Sequence, residues 1–212
     1  MNNMNNSIEI YSFGYNDRGG KVRWLAEELG LTIQEHKLDL GEHRKPQYTQ
    51  LNPFAAVPCV KFNDKTLIES TAICSYLAEQ FPEARLSVLP GEPNRFEFLK
   101  WSSVFSESLE GRLVDYILAD KELMPKELQP IYEQGLRFKL KSIQSQLPQS
   151  GFILGDRFTI VDIFAGYSLR IAVMTNLIEW QSVSHYLQRL IDRPAAHAAH
   201  FFDGLVDYLQ QK

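Results

Sequence analysis

Two pairs of residues in the first half of the chain have the types and the spacing to hold a peptide-like ligand. Val57-Pro58 precedes a short apolar strand pattern, and a turn there, with the X-Pro bond trans or less commonly cis, leaves the backbone of Val57 free to pair. Glu69-Ser70 stands where a strand pattern gives way to a helical one, and a helix start capped by Ser70 favours a carboxylate. Each pair alone is typical of an ordinary turn or cap. Together they predict a docking edge with a backbone partner at Val57 and a carboxylate pocket at Ser70.

The elements that would position these pairs form an α/β pattern in the first part of the chain. Strands are expected at 8–13, 32–40, 59–62 and 65–68, and helices at 21–29, at 47–50 and from 70 on. Asn63-Asp64, between the last two strands, indicates an antiparallel hairpin. The predicted order is strand, helix, strand, helix, strand, strand, helix, which is typical of a small α/β domain.

Helical periodicity replaces the strand patterns in the rest of the chain. Helices are expected at 94–119, at 128–147, after residue 159, at 183–191 and in a last segment ending at Tyr208. The first of these has apolar residues on more than one face, which indicates a central bundle helix. The Pro- and Gly-rich segment 89–93 has the composition of a linker. The sequence therefore predicts an α/β domain at 1–82, a linker at 83–93 and an all-α domain at 94–212.

Thr159 and Asp162 have the spacing of a capping box at the start of a helix. In that arrangement the Thr159 hydroxyl accepts from the amide of residue 162, and the Asp162 carboxylate accepts from the amide of Thr159. Both residues are therefore assigned a structural capping role.

The composition excludes several classes of function. A net charge of −4 argues against nucleic acid as the main partner, because phosphate binding needs a basic face. No apolar run approaches the roughly 18 residues of a membrane span. The chain starts with Met-Asn-Asn-Met-Asn-Asn, which does not resemble a secretory signal, so a cytoplasmic location is expected.

The cysteines and histidines give no sign of a metal site or of a disulfide framework. Cys59 and Cys74 form no C-x-x-C pair, and their apolar surroundings predict reduced, buried thiols. His197 and His200 have no third ligand in view, so they are expected to be solvated or capping residues rather than metal ligands.

Taken along the chain, these residues resemble the glutathione S-transferase superfamily, and the resemblance covers nearly the whole sequence. Its strongest part runs from Gly41-Glu42-His43-Arg44 through Leu51-Asn52-Pro53-Phe54-Ala55-Ala56-Val57-Pro58 to Glu69-Ser70, and it is similar to the plant-type and theta-like members without a gap. The resemblance implies a thioredoxin-like first domain with a cis proline, in the order βαβαββα, followed by an all-α helical bundle. It also implies a homodimer, in which relatives pair the first domain of one subunit with the second domain of the other.

The resemblance further implies that the first domain binds glutathione, as a co-substrate, along one edge. By resemblance, Val57, which precedes the cis Pro58, pairs its backbone with the cysteinyl part of the tripeptide. Ser70 and the helix behind it hold the γ-glutamyl carboxylate, while Glu69 faces the γ-glutamyl amino group.

Three further positions carry over from the family to the glutathione site. His43 and Arg44 would lie near the glycyl carboxylate, where a cation is physically sensible. Ala56 stands where many theta-like proteins carry Gln, so one side-chain contact to glutathione would be missing.

In the family, the residue that activates the thiol lies in the loop after the first strand. The alignment of this loop with the family leaves open which residue that is here. Reading forward from the strand favours Tyr15, whose phenolic hydroxyl would donate to the thiolate and lower the pKa of the thiol. Counting back from Val22 selects Asn16, whose amide could also donate to sulfur. Arg18 would supply a positive charge near the thiolate. No cysteine occupies this loop, which argues against the members that form mixed disulfides.

The implied activity is that of a glutathione transferase, whose thiolate attacks a small apolar electrophile. The electrophile pocket is expected between the first loop and the helical domain, with guesses for its lining at Phe13, Trp101, Phe105, Arg112 and Tyr116; plain core packing is an equal expectation for each aromatic residue. Glutathione peroxidase or disulfide reductase side activity is compatible with the same thiolate. The alternative is a non-catalytic binding protein on this fold, like the stringent-starvation regulators or the lens and elongation-factor relatives.

Overall fold

The chain forms two compact units in a computed structural model that describes residues 6–14, 17–121 and 123–212. The first unit runs to Ser87 and also includes Arg193–Gly204, and the second comprises Val88–Asp192 and Leu205–Lys212. This division differs from the predicted domains, because the first unit extends to Ser87, the second begins at Val88, and a segment close to the C-terminus joins the α/β unit.

The first unit is built on a four-stranded mixed sheet in the order β2-β1-β3-β4. Its strands are β1 (Ser7–Ser12), β2 (Thr32–Lys37), β3 (Cys59–Phe62) and β4 (Lys65–Ile68). β1 pairs with β2 in parallel and with β3 in antiparallel fashion, and β3 and β4 form an antiparallel hairpin. The predicted thioredoxin-like order βαβαββα is confirmed, with the Val57–Pro58 bond cis.

Three helices complete the order of the first unit: α1 (Gly19–Glu28), α2 (Pro46–Thr49) and α3 (Ser70–Gln80). α1 and α3 contact each other and bury their apolar faces together with Ile8, Ile10 and Val60 of the sheet. Burial alternates along β1, since every second residue faces these helices. Gly30 ends α1 with a positive φ of 65°, a conformation that a residue with a side chain rarely adopts.

The segment 193–204 belongs to the first unit because it packs on α1. Both Nε and Nη2 of Arg193 donate to the Glu28 carboxylate at 2.7 Å, which makes a bidentate ion pair. The Trp24 ring, fully buried, lies 4.6 Å from the ring of Phe201 and 5.5 Å from that of Phe202. A linear reading of the sequence assigned these residues to the helical domain, because helical periodicity alone does not say which unit a short helix packs on.

The second unit is all-α, as predicted. Its helices are α4 (Arg95–Ser103), α5 (Gly111–Asp120), α6 (Gln129–Gln144), α7 (Ile160–Met174) and α8 (Ser184–Ile191), followed by α9 (Pro194–Ala198) in the first unit and α10 (Asp203–Gln210). The helix predicted at 94–119 is helical over its whole length, but Val104–Glu110 is wound as a π-helix between α4 and α5. The most deeply buried helix is α7 rather than this one, since all of its residues except Ile171 and Met174 are buried.

Thr159 caps α7 in a capping box with Asp162. The buried Asp162 carboxylate accepts from the Thr159 amide at 2.9 Å, and the Thr159 hydroxyl accepts from the Val161 amide at 3.3 Å. The same carboxylate also accepts from the Ile153 amide and from the Tyr186 hydroxyl, at 2.9 and 2.7 Å. The Thr159 hydroxyl also donates to this carboxylate, at 3.4 Å. Burial raises the pKa of Asp162 to about 6 despite these four donors.

Two negative findings apply to the described ranges alone. No helix there is long and apolar enough to cross a membrane. No cluster of three or more His, Cys, Asp or Glu side chains there could hold a metal ion.

Candidate functional site

The strand register brings four chain segments to one end of the sheet. Ser12, at the end of β1, pairs with Lys37, at the end of β2, so that both parallel strands finish there. Cys59, at the start of β3, pairs with Tyr11 on one side and with Ile68 on the other. The loops after β1 and β2, the turn before β3 and the start of α3 after β4 therefore gather at the same end. These four segments carry the residues predicted for the glutathione site.

The turn before β3 is held by two hydrogen bonds to one carbonyl group. The Nδ2 atom of the buried Asn52 donates to the Ala56 carbonyl at 2.7 Å, and the Tyr48 hydroxyl donates to the same oxygen at 2.5 Å. The side-chain oxygen Oδ1 of Asn52 also accepts from the Phe54 amide at 3.0 Å. These contacts fix Ala56 directly before the cis Val57–Pro58 bond, while Val57 itself remains partly exposed.

The chain turns from β4 into α3 at Glu69. This residue has a left-handed φ of 66° and is exposed, while Ser70 is buried as the first residue of the helix. The prediction that Ser70 is the N-cap is therefore wrong by one position, because the sharp turn falls on Glu69 and no side chain caps the helix. The helix start next to Ser70 still has the unpaired amide groups and the dipole that favour a carboxylate.

The loop after β2 contains the two residues predicted to face the glycyl carboxylate. His43 and Arg44 lie in a short 3₁₀ turn, Glu42–Arg44, with Arg44 exposed and His43 partly buried. The His43 ring packs edge to face against Phe13, at 5.0 Å between ring centroids. Its buried Nδ1 atom has no hydrogen-bond partner within the described part of the chain. The contact with Phe13 links the loop after β2 to the loop after β1.

The loop after β1 is closed by a single carboxylate. Asp17 accepts from the Phe13 amide at 2.6 Å through Oδ2 and from the Gly19 amide at 2.7 Å through Oδ1. Arg18, partly buried, is the residue directly before α1. Tyr15 and Asn16 lie outside the described residues, so the choice between them stays a prediction. Burial raises the pKa of Asp17, against the opposing effect of its two amide donors.

A second carboxylate, on β2, connects the end of β1 with α1. Glu35 accepts from Nε of Arg23 at 2.7 Å, from Nη2 of the same guanidinium, and from the Ser12 hydroxyl at 2.5 Å. Nη2 of Arg23 also donates to the Gly14 carbonyl at 3.3 Å. Burial alone would raise the pKa of Glu35, but the hydrogen bonds from Arg23 and Ser12 outweigh it, so the pKa is lowered.

This arrangement agrees with the comparisons to known proteins. The family model for the glutathione S-transferase N-terminal domain matches residues 6–79, which include all four segments of the site. The protein named glutathione S-transferase GstA of Escherichia coli O157:H7 is 27% identical over 180 residues, which cover 84% of this chain and 86% of the relative. Residues 6–79 therefore match a glutathione S-transferase N-terminal domain, and most of the chain is similar to a protein named glutathione S-transferase.

A second curated relative and a solved structure are also similar to most of the chain. Glutathione S-transferase 1 of Triticum aestivum is 26% identical over 197 residues, covering 82% of this chain and 85% of the relative. Among solved structures, the glutathione transferase URE2P6 of Phanerochaete chrysosporium, in complex with oxidized glutathione, has a TM-score of 0.80 at 22% identity. It covers 97% of this chain and 98% of its own, which shows that the fold is shared over both units.

Sequence reasoning missed the residues that hold the four segments of the candidate site in place. Asn52 and Tyr48 before the cis proline, and Ser12, Asp17 and Glu35 around the first loop, were not predicted. One signal was available, because an Asp two residues before a Gly at a helix start is typical of a side chain that accepts from the backbone. The pairing of Glu35 with Arg23 and Ser12 had no local signal.

The residues predicted for the electrophile pocket have different surroundings in their own units. In the helical unit, Trp101, Phe105 and Tyr116 are buried, with Trp101 and Phe105 stacked at 5.6 Å, whereas Arg112 is exposed beside Asp115. In the first unit, Phe13 is partly buried against His43.

Both cysteines are buried thiols, as predicted. Burial raises the pKa of the Cys59 thiol to about 11, so this thiol next to the cis proline stays protonated near neutral pH.

Proposed function

We propose that this protein is a glutathione transferase that binds glutathione at the end of the sheet where the four segments of the candidate site meet. The observation that carries the proposal is the pairing of Cys59 with Ile68, which brings the cis Val57–Pro58 turn and the Glu69-Ser70 helix start to the same end. In this proposal Val57 pairs with the cysteinyl backbone and Ser70 holds the γ-glutamyl carboxylate. Glu69 faces the amino group, and His43 and Arg44 face the glycyl carboxylate.

The chemistry is a nucleophilic substitution or addition by sulfur. The glutathione thiol loses its proton to water, and the thiolate forms a bond to an electrophilic carbon of a small apolar substrate. In a substitution, the leaving group departs with the electron pair of its bond to that carbon. Tyr15 would stabilise the thiolate by donating a hydrogen bond, with Asn16 as the alternative donor, and Arg18 would add positive charge. Peroxidase or disulfide reductase side activity would use the same thiolate.

Calorimetric titration with glutathione and a rate assay with an aryl halide test this proposal. We expect heat of binding and turnover for the unchanged protein, and Tyr15→Phe should lower the rate and raise the pKa seen in the rate profile. Tyr76→Phe removes a hydroxyl on α3 that accepts from Lys65 and serves as the matched control. If Asn16→Ala lowers the rate and Tyr15→Phe leaves it unchanged, Asn16 is the donor to the thiolate instead.

Two other results would change the proposal. Absence of binding heat would overturn it. Binding without turnover would favour the alternative, a non-catalytic glutathione-binding protein.

The proposal includes a homodimer and a cytoplasmic location. Exposed aromatic side chains on both units support self-association, since Phe54 in the first unit and Phe96 and Phe138 in the second are each about three-quarters exposed. Trp101 and Phe138 also line a groove of about 310 Å³ in the helical unit. Sedimentation should give twice the 24.4 kDa of one chain, and a mass of one chain would contradict the dimer.

A further inference from the structure

Asp17 holds both ends of the loop that carries Tyr15 and Asn16. Its two carboxylate oxygens accept separately from the amides of Phe13 and Gly19, at 2.6 and 2.7 Å. A carboxylate that accepts two backbone N–H groups makes charge-assisted hydrogen bonds, which are stronger than neutral ones. The residues on either side of the loop are therefore tied to one side chain.

Glu35 fixes the same loop from the side of the sheet. Through Arg23 it is connected to the carbonyl of Gly14, and through the Ser12 hydroxyl to the Gly14 amide, which donates to that hydroxyl at 3.0 Å. Both backbone groups of Gly14, the last described residue before Tyr15, are thus engaged by the network. Arg23 is 4% exposed and Glu35 25%, so solvent screens this ion pair only in part.

The residues around Gly19 are closely packed where the chain enters α1. A Cβ atom placed on Gly19 would lie 2.8 Å from Oδ1 of Asp17 and 2.8 Å from Cβ of Ser12. Backbone and side chains are therefore in direct contact where the loop enters α1.

We propose that Asp17 and Glu35 are positioning residues for thiol activation, setting the loop that presents Tyr15 or Asn16 to the glutathione sulfur. The inference rests on the proposed function. Ala56, directly before Val57, is held by a separate set of hydrogen bonds from Asn52 and Tyr48, so the network governs activation more than binding. A catalytic group misplaced by about 1 Å can lower a rate by about 100-fold.

Two isosteric variants test the inference, Asp17→Asn and Glu35→Gln. The Asn side chain presents an NH₂ group where the carboxylate accepted a backbone N–H, so one end of the loop is released. The Gln side chain likewise loses one of its two acceptors for Arg23. We expect kcat with an aryl halide to fall about tenfold or more, with the Kd for glutathione within about twofold. The apparent pKa of the bound thiol, followed by ultraviolet absorbance of the thiolate, should rise by about one.

Matched controls separate this effect from the loss of any carboxylate. Glu9→Gln changes β1 on the opposite face of the sheet, where Glu9 accepts from the Tyr11 hydroxyl and contacts His36. Asp64→Asn changes the exposed hairpin turn between β3 and β4. Both controls should keep the unchanged protein's kcat and thiol pKa.

Each outcome bears on a different part of the proposal. Folded variants with unchanged kcat and thiol pKa would overturn the inference and leave the proposed function standing. Folded variants that lose glutathione binding would also overturn it, because the network would then serve binding. If either variant fails to fold, Ser12→Ala, which removes only a hydroxyl from the network, is measured in its place with the same expectations. Absence of binding to the unchanged protein would instead refute the proposed function.

Discussion

The turn before β3 and the loop after β1 leave the same end of the sheet but are held by different kinds of group. In the turn, the neutral side chains of Asn52 and Tyr48 donate to the Ala56 carbonyl. In the loop, Asp17 and the pair of Glu35 with Arg23 hold the backbone through charged groups. The turn carries the proposed binding half of the site, and the loop carries the proposed thiol-activating half.

This difference determines how each half responds to mutation and to pH. Removing a neutral hydrogen-bonding group loses a modest free energy, whereas removing one member of a buried ion pair leaves an uncompensated charge. Neutral amides do not titrate, whereas carboxylates do. The activating half should therefore be the more sensitive of the two.

The largest expected effect on the stability of the protein is that of Arg23→Met. The substitution leaves the Glu35 carboxylate partly buried without its guanidinium partner, so the free energy of unfolding should fall by about 3 kcal/mol. Urea denaturation measures this loss of unfolding free energy. Lys45→Met, which breaks an exposed pair with Glu42, is the control and should change stability by less than about 1 kcal/mol. Equal effects for the two variants would contradict the contrast between buried and exposed pairs.

Asn52→Ala should have the next largest effect. It removes the donor to the Ala56 carbonyl and the acceptor for the Phe54 amide, so we expect a loss of about 2 kcal/mol in unfolding free energy. The Kd for glutathione should rise about tenfold because the backbone before Val57 is loosened. Gln50→Ala, an exposed amide two residues earlier, is the control for both measurements. An unchanged Kd would separate the turn from the binding site.

Tyr48→Phe should have a smaller effect than Asn52→Ala. The Ala56 carbonyl keeps the Asn52 donor when the phenolic hydroxyl is removed, so unfolding free energy should fall by about 1 kcal/mol. Thermal or urea unfolding measures this loss, with Tyr76→Phe as the control. A loss larger than that of Asn52→Ala would show that the hydroxyl, rather than the amide, is the main support of the turn.

The smallest effect concerns the pH dependence of stability. The pKa of Glu35 is lowered from its ordinary value of 4.5, so its contribution is present above that value and is lost as the pH falls through the folded-state pKa. The stability difference between the unchanged protein and Glu35→Gln should therefore shrink in acid. The difference caused by Asn52→Ala should stay constant from about pH 4 to pH 9. A constant difference for Glu35→Gln would contradict the ionised pair.

Asp17 contributes with the opposite sign in the same network. Its pKa is raised, so its contribution is present below the ordinary value of 3.8 and is lost as the pH rises through the folded-state pKa. As the pH falls, the stability of the unchanged protein relative to Asp17→Asn should therefore rise, whereas its stability relative to Glu35→Gln should fall. Urea denaturation over a pH series measures both differences.

Local sequence patterns predicted much of the fold, whereas the residues of the glutathione site stay predictions. The strands at 59–62 and 65–68, the cis proline implied by resemblance and the helical second unit agree with the structure. The helix cap at Ser70 was misplaced by one residue, because positive φ at Glu69 has no sequence signal in a residue other than Gly, Asn or Asp. The activating residue stays a prediction.

The sequence by itself determined the order of strands and helices, the Val57-Pro58 and Glu69-Ser70 pairs and the capping box before α7, because backbone preferences and burial periodicity act over a few neighbouring residues. Only the tertiary structure decided that Glu35 meets Arg23 and Ser12, and that the segment 193–204 packs on α1. Those contacts join residues far apart in the chain. They depend on the register of β1 against β2 and on the face that α1 turns to the sheet, which no local pattern specifies.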